Sequence, residues 1–257
     1  RGILTGYNKA FIIDGKARDE LVAIDPKSAE IIKPILRGKN LSRYKVDYND
    51  LWIINSHNGV KSKNIEPINI DLYPAVKDHL DKFWDRISTR GDQGITPYNL
   101  RNCAYLDDFN RDKIVWASVG KNEYCFVPKG MFLLDTNYFA VGLNKFHLAI
   151  LNSRLIIKKF IEETDTKVGA VAYRHYKYNF EKIPIPKISV HEQIPFEKLV
   201  VEIINGKNKK EDTTVLEHKI DLMVYKLYNL SYEEVLIVDP AFNALMTEET
   251  YEASKVV

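Results

Sequence analysis

Between residues 113 and 141 three apolar runs follow one another with no room for a helix between them: KIVWA (113–117), EYCFV (123–127) and FLLDTNYFAV (132–141). Adjacent parallel strands need a crossover of a dozen or more residues, usually a helix. Links this short, carrying Gly, Asn and Pro, predict antiparallel pairing and exclude a series of βαβ units through this stretch. Two more runs, KAFII (9–13) closing at Asp14-Gly15 and LWIIN (51–55) before Ser56-His57-Asn58-Gly59, read as strands ending in turns. The expectation is an α+β fold: a mainly antiparallel, mixed-sheet body with interspersed helices, followed by a small helical C-terminal unit.

The helices have their own signals. Asp71 is expected to cap a helix with Pro74 in its first turn, on which Leu72, Val76, Leu80, Phe83, Trp84 and Ile87 form the apolar face. Asn144 is expected to cap a second helix, apolar nearly all round and running to about Glu163. After Pro184-Ile185-Pro186 the pattern becomes helical throughout. Phe196, Leu199, Val200, Ile203 and Ile204 mark a helix ended by Gly206, and 206–213 reads as a polar linker. Thr214 to Glu217 and Ser231 to Glu234 have capping-box spacing. The boundary falls near Lys187, giving a mixed α/β domain over 1–187 and an acidic helical hairpin or spacer over 188–257.

Charge separates along the same line. The net charge is only +2, but segments 1–45 and 145–187 each carry +5, and 188–257 carries −6. Two basic segments on one body can form an anion-binding face, with the acidic tail pointing away from it. The alternative is solvated Lys and Arg on separate surfaces. No apolar run approaches the roughly 18 residues of a membrane span. Two cysteines, Cys103 and Cys125, are too few for a disulfide framework. A soluble, cytoplasmic protein is expected. The chain begins at Arg1 with no initiator Met or signal peptide, so it is expected to be part of a longer polypeptide.

Catalytic patterns are absent. There is no G-x-G-x-x-G, P-loop or G-x-S-x-G, no Pro-Pro of an adenine-gripping motif, and no His/Cys spacing for a metal. Asp212 with Glu217-His218-Lys219 loosely follows a nuclease pattern, but these residues fall on a capped helix and read as solvated charge. No catalytic residue and no metal ligand is assigned. What remains suits a polyanion. Thr5-Gly6-Tyr7-Asn8-Lys9, Leu36-Arg37-Gly38-Lys39-Asn40 and Arg43-Tyr44 place cations, amides and hydroxyls beside flexible glycines. Arg86, Arg90, Tyr98 and Arg101 flank the loop Gly91-Asp92-Gln93-Gly94, and residues 173–178 interleave cations with aromatics. Arg reads guanine bidentately, Asn and Gln read adenine, and Lys and Tyr hold phosphate.

Together these segments resemble the TaqI-like C-terminal specificity domain. The resemblance is carried by GILTGYNKAFII (2–13), IIKPILRGKNLSRY (31–44), LWII (51–54), KIVW (113–116), LAILNSRL (148–155), the basic-aromatic loop before PIP (184–186), and the helix from Glu217 to Leu230. It implies a target recognition domain that follows an adenine-N6 methyltransferase domain in type IIG restriction–modification enzymes and related phage-defence methylases. The implied partners are double-stranded DNA and that upstream domain, with no membrane. Such a domain carries no cofactor itself; S-adenosylmethionine, and Mg2+ where the parent also cleaves DNA as a type II restriction endonuclease, belong upstream. Lys9, Arg37, Lys39 and Arg43 lie in the shared framework and are expected to hold phosphates; the competing account is that Arg37 and Arg43 hold the fold through local hydrogen bonds. Arg90, Gln93, Tyr98, Arg101, Arg174 and His175 lie in less family-like stretches and are expected to read bases. Segments 1–45 and 145–187 are expected to converge with the 86–101 loop. A stand-alone hydrolase or nuclease with an unrecognised site, or a protein–protein interaction module, is the alternative.

Overall fold

Asp14 shows how local chemistry opens the fold. Its carboxylate accepts a hydrogen bond from the Ala17 backbone N–H at 2.8 Å, so it caps a helix, Gly15–Ile24, where a tight turn was expected. The KAFII run is divided between a short helix, Asn8–Phe11, and a strand, Ile12–Asp14. These features come from a computed structural model that describes residues 1–254.

The chain forms two compact units whose segments alternate. One comprises residues 1–40, 47–112 and 127–141; the other comprises 41–46, 113–126 and the chain from 142 onward. The division expected near Lys187 is therefore not where the contacts divide, because 142–187 group with the helices that follow them.

The first unit is built on a four-stranded sheet in the order Ile12–Asp14, Leu51–Ile54, Ile32–Leu36, Phe132–Leu133. Its first three strands pair antiparallel, with Ile12 opposite Ile53 and Ile32 opposite Ile54. The last pairing is parallel, Ile35 with Phe132 and Leu36 with Leu133. Phe11, Ile35, Leu36, Ile53, Ile54, Val76, Leu80 and Ile87 fill the core. The FLLDTNYFAV run is broken by a turn into Phe132–Leu133 and Asn137–Val141. Asn137 sits at that turn fully buried, its amide donating to the carbonyls of Leu36 and Leu134.

The helix at Pro74 runs to Asp81 without a side-chain cap. Asp71 instead lies in a single 3-10 turn, Ile70–Leu72, capped by Asn69. Helicity resumes over Trp84–Ile87; Leu72, in the turn before the helix, and Trp84, after the break, are both exposed.

In the second unit the strand Lys113–Ala117 forms where its pattern places it and neighbours Cys125–Val127. Asn144 caps Lys145–Asn152 in a reciprocal box with His147. The expected long helix is interrupted at Ser153, whose backbone is extended and whose hydroxyl accepts from the Ile156 N–H. A serine that satisfies a backbone donor in this way offers the chain an alternative to helix. The segment then passes through a π-turn, Ile157–Ile161, and ends at Thr164.

The C-terminal region is helical: Val190–Lys209, Thr214–Leu227, Tyr232–Val238 and Glu248–Ala253. Ser189 with Glu192, and Ser231 with Glu234, form capping boxes. Two details differ from expectation. The first helix runs past Gly206 and stops at Lys210, which takes a left-handed φ of 62°. Thr214 makes no box; the cap position is Thr213, whose hydroxyl donates to Glu217 at 2.7 Å. Val190–Lys209 packs on Lys145–Asn152, with the Phe146 and Phe196 rings edge to face at 5.3 Å.

Candidate nucleic-acid interface

In the first unit the Gly91-Asp92-Gln93-Gly94 loop lies against the N-terminal Thr5-Gly6 turn. Gly6 has φ +69°, and a Cβ there would come within 3.0 Å of Asp92 Cβ and 3.3 Å of Arg90 Cδ. Only glycine fits both the left-handed backbone and the close approach. Arg90 is only 7% exposed, and its guanidinium donates to the carbonyls of Thr5, Pro97 and Asn99. It also lies over the Phe11 ring, 4.2 Å from the centroid. Burial pushes its pKa down to about 10, which leaves it charged at neutral pH. Arg90 thus braces the 90–101 loop from behind, which corrects its expected role as a base reader: every direction in which it donates is inward.

The outer side of that loop is different. Gln93 and Arg101 are exposed, and the Gln93 and Leu100 backbones are bridged antiparallel. Arg101 forms an open ion pair with Asp92 at 3.1 Å, a contact that a stronger anion can displace. Tyr98 is half-buried. Its hydroxyl donates to Asp81 and its ring lies beneath the Lys77 ammonium at 5.3 Å. The Tyr98 and Lys77 hydrogen bonds hold the Asp81 carboxyl below the usual carboxylate range. Trp84, 43% exposed, stands beside Tyr98 with ring centroids 5.3 Å apart. Helical periodicity assigns Trp84 to the core, so this surface aromatic was not legible from the residue pattern. Lys9 and Lys39 are exposed on short helical turns, and Arg37 is half-buried with its N–H donating to Asn40 Oδ1 at 2.8 Å.

In the second unit Arg43 is committed internally. One guanidinium nitrogen donates to the Asn152 carbonyl at 2.7 Å and another pairs with Glu217 at 3.1 Å. Glu217 also meets Lys207 at 2.8 Å and is only 8% exposed. Burial raises its pKa, but Arg43, Lys207 and Thr213 together hold it below the usual range. Two expectations are corrected here: Arg43 is not presented to phosphate, and Glu217 is not a solvated helix charge. The bracing alternative for Arg43 is the one its geometry fits. Arg154 makes a parallel clasp, 2.7 Å from Asp239 and 3.5 Å from Asp221, while its backbone N–H donates to Asp221. Burial pushes the Asp221 carboxyl up to about 6.

The basic-aromatic stretch is divided by function. His175 is 4% exposed, its Nδ1 2.7 Å from Asp165, and Asn179 donates to the same carboxylate at 2.7 Å. A buried imidazole so placed is a structural anchor, which again corrects the base-reading expectation. Arg174, one residue earlier, is exposed on the strand Ala172–Arg174. That strand pairs antiparallel with Thr166–Val168 on one side and Val119–Gly120 on the other. Tyr176 and Tyr178 stack at 5.3 Å beside it. Among the described residues no group of three His, Cys, Asp or Glu could hold a metal ion, and no helix is long and apolar enough to cross a membrane.

A solved structure of the Type IIL restriction-modification enzyme MmeI in complex with DNA is similar in fold, with a TM-score of 0.68 at 12% identity. The alignment covers 98% of this chain and 34% of that one, so the chain spans about a third of MmeI's length. The profile of the TaqI-like C-terminal specificity domain matches residues 33–185, more than half of the sequence. This chain belongs to the TaqI-like C-terminal specificity domain family.

Proposed function

We propose that the chain is the sequence-specific double-stranded DNA target recognition domain of a restriction–modification enzyme, of type IIG or a related adenine-N6 DNA methyltransferase. It positions the duplex so that an upstream methyltransferase domain of the same polypeptide, using S-adenosylmethionine, can methylate a flipped adenine. Cleavage, where the parent performs it, belongs to the upstream domains as well. The observation that carries this reading is the division of labour in the 90–101 loop. Arg90 and Gly6 fix its inner side, while Gln93 and Arg101 face outward with groups that match base edges. Lys9 and Lys39 supply exposed cations for the phosphate backbone. Arg174 and the half-buried Tyr98 remain candidates for base contact, while Arg37 keeps a phosphate role through its half-buried guanidinium.

Methylome sequencing of the source cell gives the target motif, and duplexes with and without it then test the reading. Lys39→Ala weakens binding to all sequences alike and lowers the salt slope by roughly one unit. Arg101→Ala costs about 1–3 kcal/mol on the cognate site and little elsewhere. Parental affinity of both variants for both duplexes would refute the assignment of this surface.

A further inference from the structure

The hairpin formed by Thr166–Val168 and Ala172–Arg174 has no core of its own. All three residues of its first strand are exposed, on both faces of the ribbon. Its tip carries Val168 at 38% and Val171 at 63% exposure, with Ala170 exposed between them. Gly169 turns the chain there with φ +68°, and a Cβ on it would meet nothing within 4 Å. A bare ribbon of this kind is marginal in water and needs fixing at one end. The fixing is at its root: the buried pair His175 and Asp165, with the half-buried Asn179, lies directly after the last strand and before the first. Val119–Gly120 adds a third short strand beside Ala172–Arg174. The result is a held stem with an apolar end in solvent.

The stem is cationic where the tip is apolar. Lys167 pairs in register with Tyr173, and Arg174 with Thr166. Both cations are exposed, within a segment of net charge +5. An apolar end flanked by cations is matched by a partner with an apolar interior beneath an anionic rim. Base pairs stacked between two phosphate backbones have that layout, and apolar side chains inserted at a base step open it at a cost of a few kcal/mol.

We propose that the Val168–Val171 tip is a wedge that enters the DNA duplex and parts a base step at the bound site, with Lys167 on a flanking phosphate. This rests on the proposed DNA-recognition function and adds to it a cause of local unstacking. The tip would lower the barrier to extruding a nucleotide without reading sequence.

The test uses the parent protein and the double variant Val168→Ser, Val171→Ser, which keeps Gly169 and leaves the buried root untouched. Thermal melting verifies that the variant is folded. Three duplexes are compared: cognate, cognate with 2-aminopurine at successive positions, and cognate with an abasic site at the step where the parent raises 2-aminopurine fluorescence. The parent is expected to raise fluorescence at one step. The variant is expected to lose that signal and to bind the intact cognate duplex on the order of tenfold more weakly. On the abasic duplex, where unstacking is already done, the two should bind alike, and the salt slope should be unchanged. An equal loss on intact and abasic duplexes, no loss at all, or no fluorescence rise with the parent would overturn the wedge and leave DNA recognition standing. Absence of salt-dependent duplex binding by the parent would overturn both.

Discussion

Arg90 separates a structural from a recognition role most sharply. Replacing it by Ala removes the donors for three carbonyls, those of Thr5, Pro97 and Asn99, and the cation over the Phe11 ring. Hydrogen bonds to a charged group contribute about 1.5–3 kcal/mol each, but three acceptors served by one guanidinium are not additive. Water reaching the partly opened loop offsets some of the loss. A destabilisation of about 3–5 kcal/mol is expected, in the range of breaking a buried charged network. Arg90→Lys keeps the charge but lacks the planar fork, and should recover less than half of that loss. Urea denaturation measures both through the midpoint at constant m-value. Cognate and random DNA binding, measured below the unfolding transition, should fall together. If Arg90→Ala unfolds like the parent and loses only cognate binding, Arg90 reads a base and the bracing argument is wrong.

Further outcomes follow from the buried charges of the second unit. Asp221 has a folded pKa of about 6, above its unfolded value, so it holds its proton more tightly when folded. Its contribution is fully present below about pH 4 and is lost as pH rises through 6, a change of about 3 kcal/mol for a two-unit shift. Asp221→Asn should flatten the stability profile between pH 4 and 6, and an unchanged slope would show that another group sets it. Arg43→Ala leaves the Asn152 carbonyl without this donor and Glu217 with Lys207 and Thr213 alone. It should cost about 3 kcal/mol in thermal or urea unfolding without altering the salt slope of DNA binding.

How much the sequence revealed depended on whether one residue type admits one reading. KIVWA was legible because Ile114, Val115 and Trp116, three residues of strand character, follow one another between polar flanks, and Asn144 and Ser231 because a cap precedes a helical period. Asp14-Gly15 was not, since the same pair closes a hairpin or opens a helix, and only the distant pairing of Ile12 with Ile53 decides between them. Ser153 interrupts an apolar run that periodicity alone carries straight through. Among the site residues, Gln93, Arg101, Arg174, Lys9 and Lys39 stand exposed. Arg90, Arg43 and His175 look the same in one dimension. Their partners are carbonyls and carboxylates brought in by other segments, up to 174 residues away for Arg43 and Glu217, and nothing local marks them.

The alternation of the chain between its two units has a consequence for inheritance and synthesis. Residues 41–46 and 113–126 belong with a unit whose bulk is made only after residue 142, and 127–141 complete a unit begun at residue 1. During translation neither unit closes until the ribosome has passed its last segment, so early strands wait with their partners unmade. Pairings this distant in sequence slow folding and lengthen exposure to aggregation. The same threading disfavours exchange of specificity by a single genetic crossover. A junction between residues 41 and 141 would mix both units at once, joining half of each core to a foreign complement. Substitution within outward loops, where Gln93 and Arg101 stand exposed, leaves the interleaved cores undisturbed.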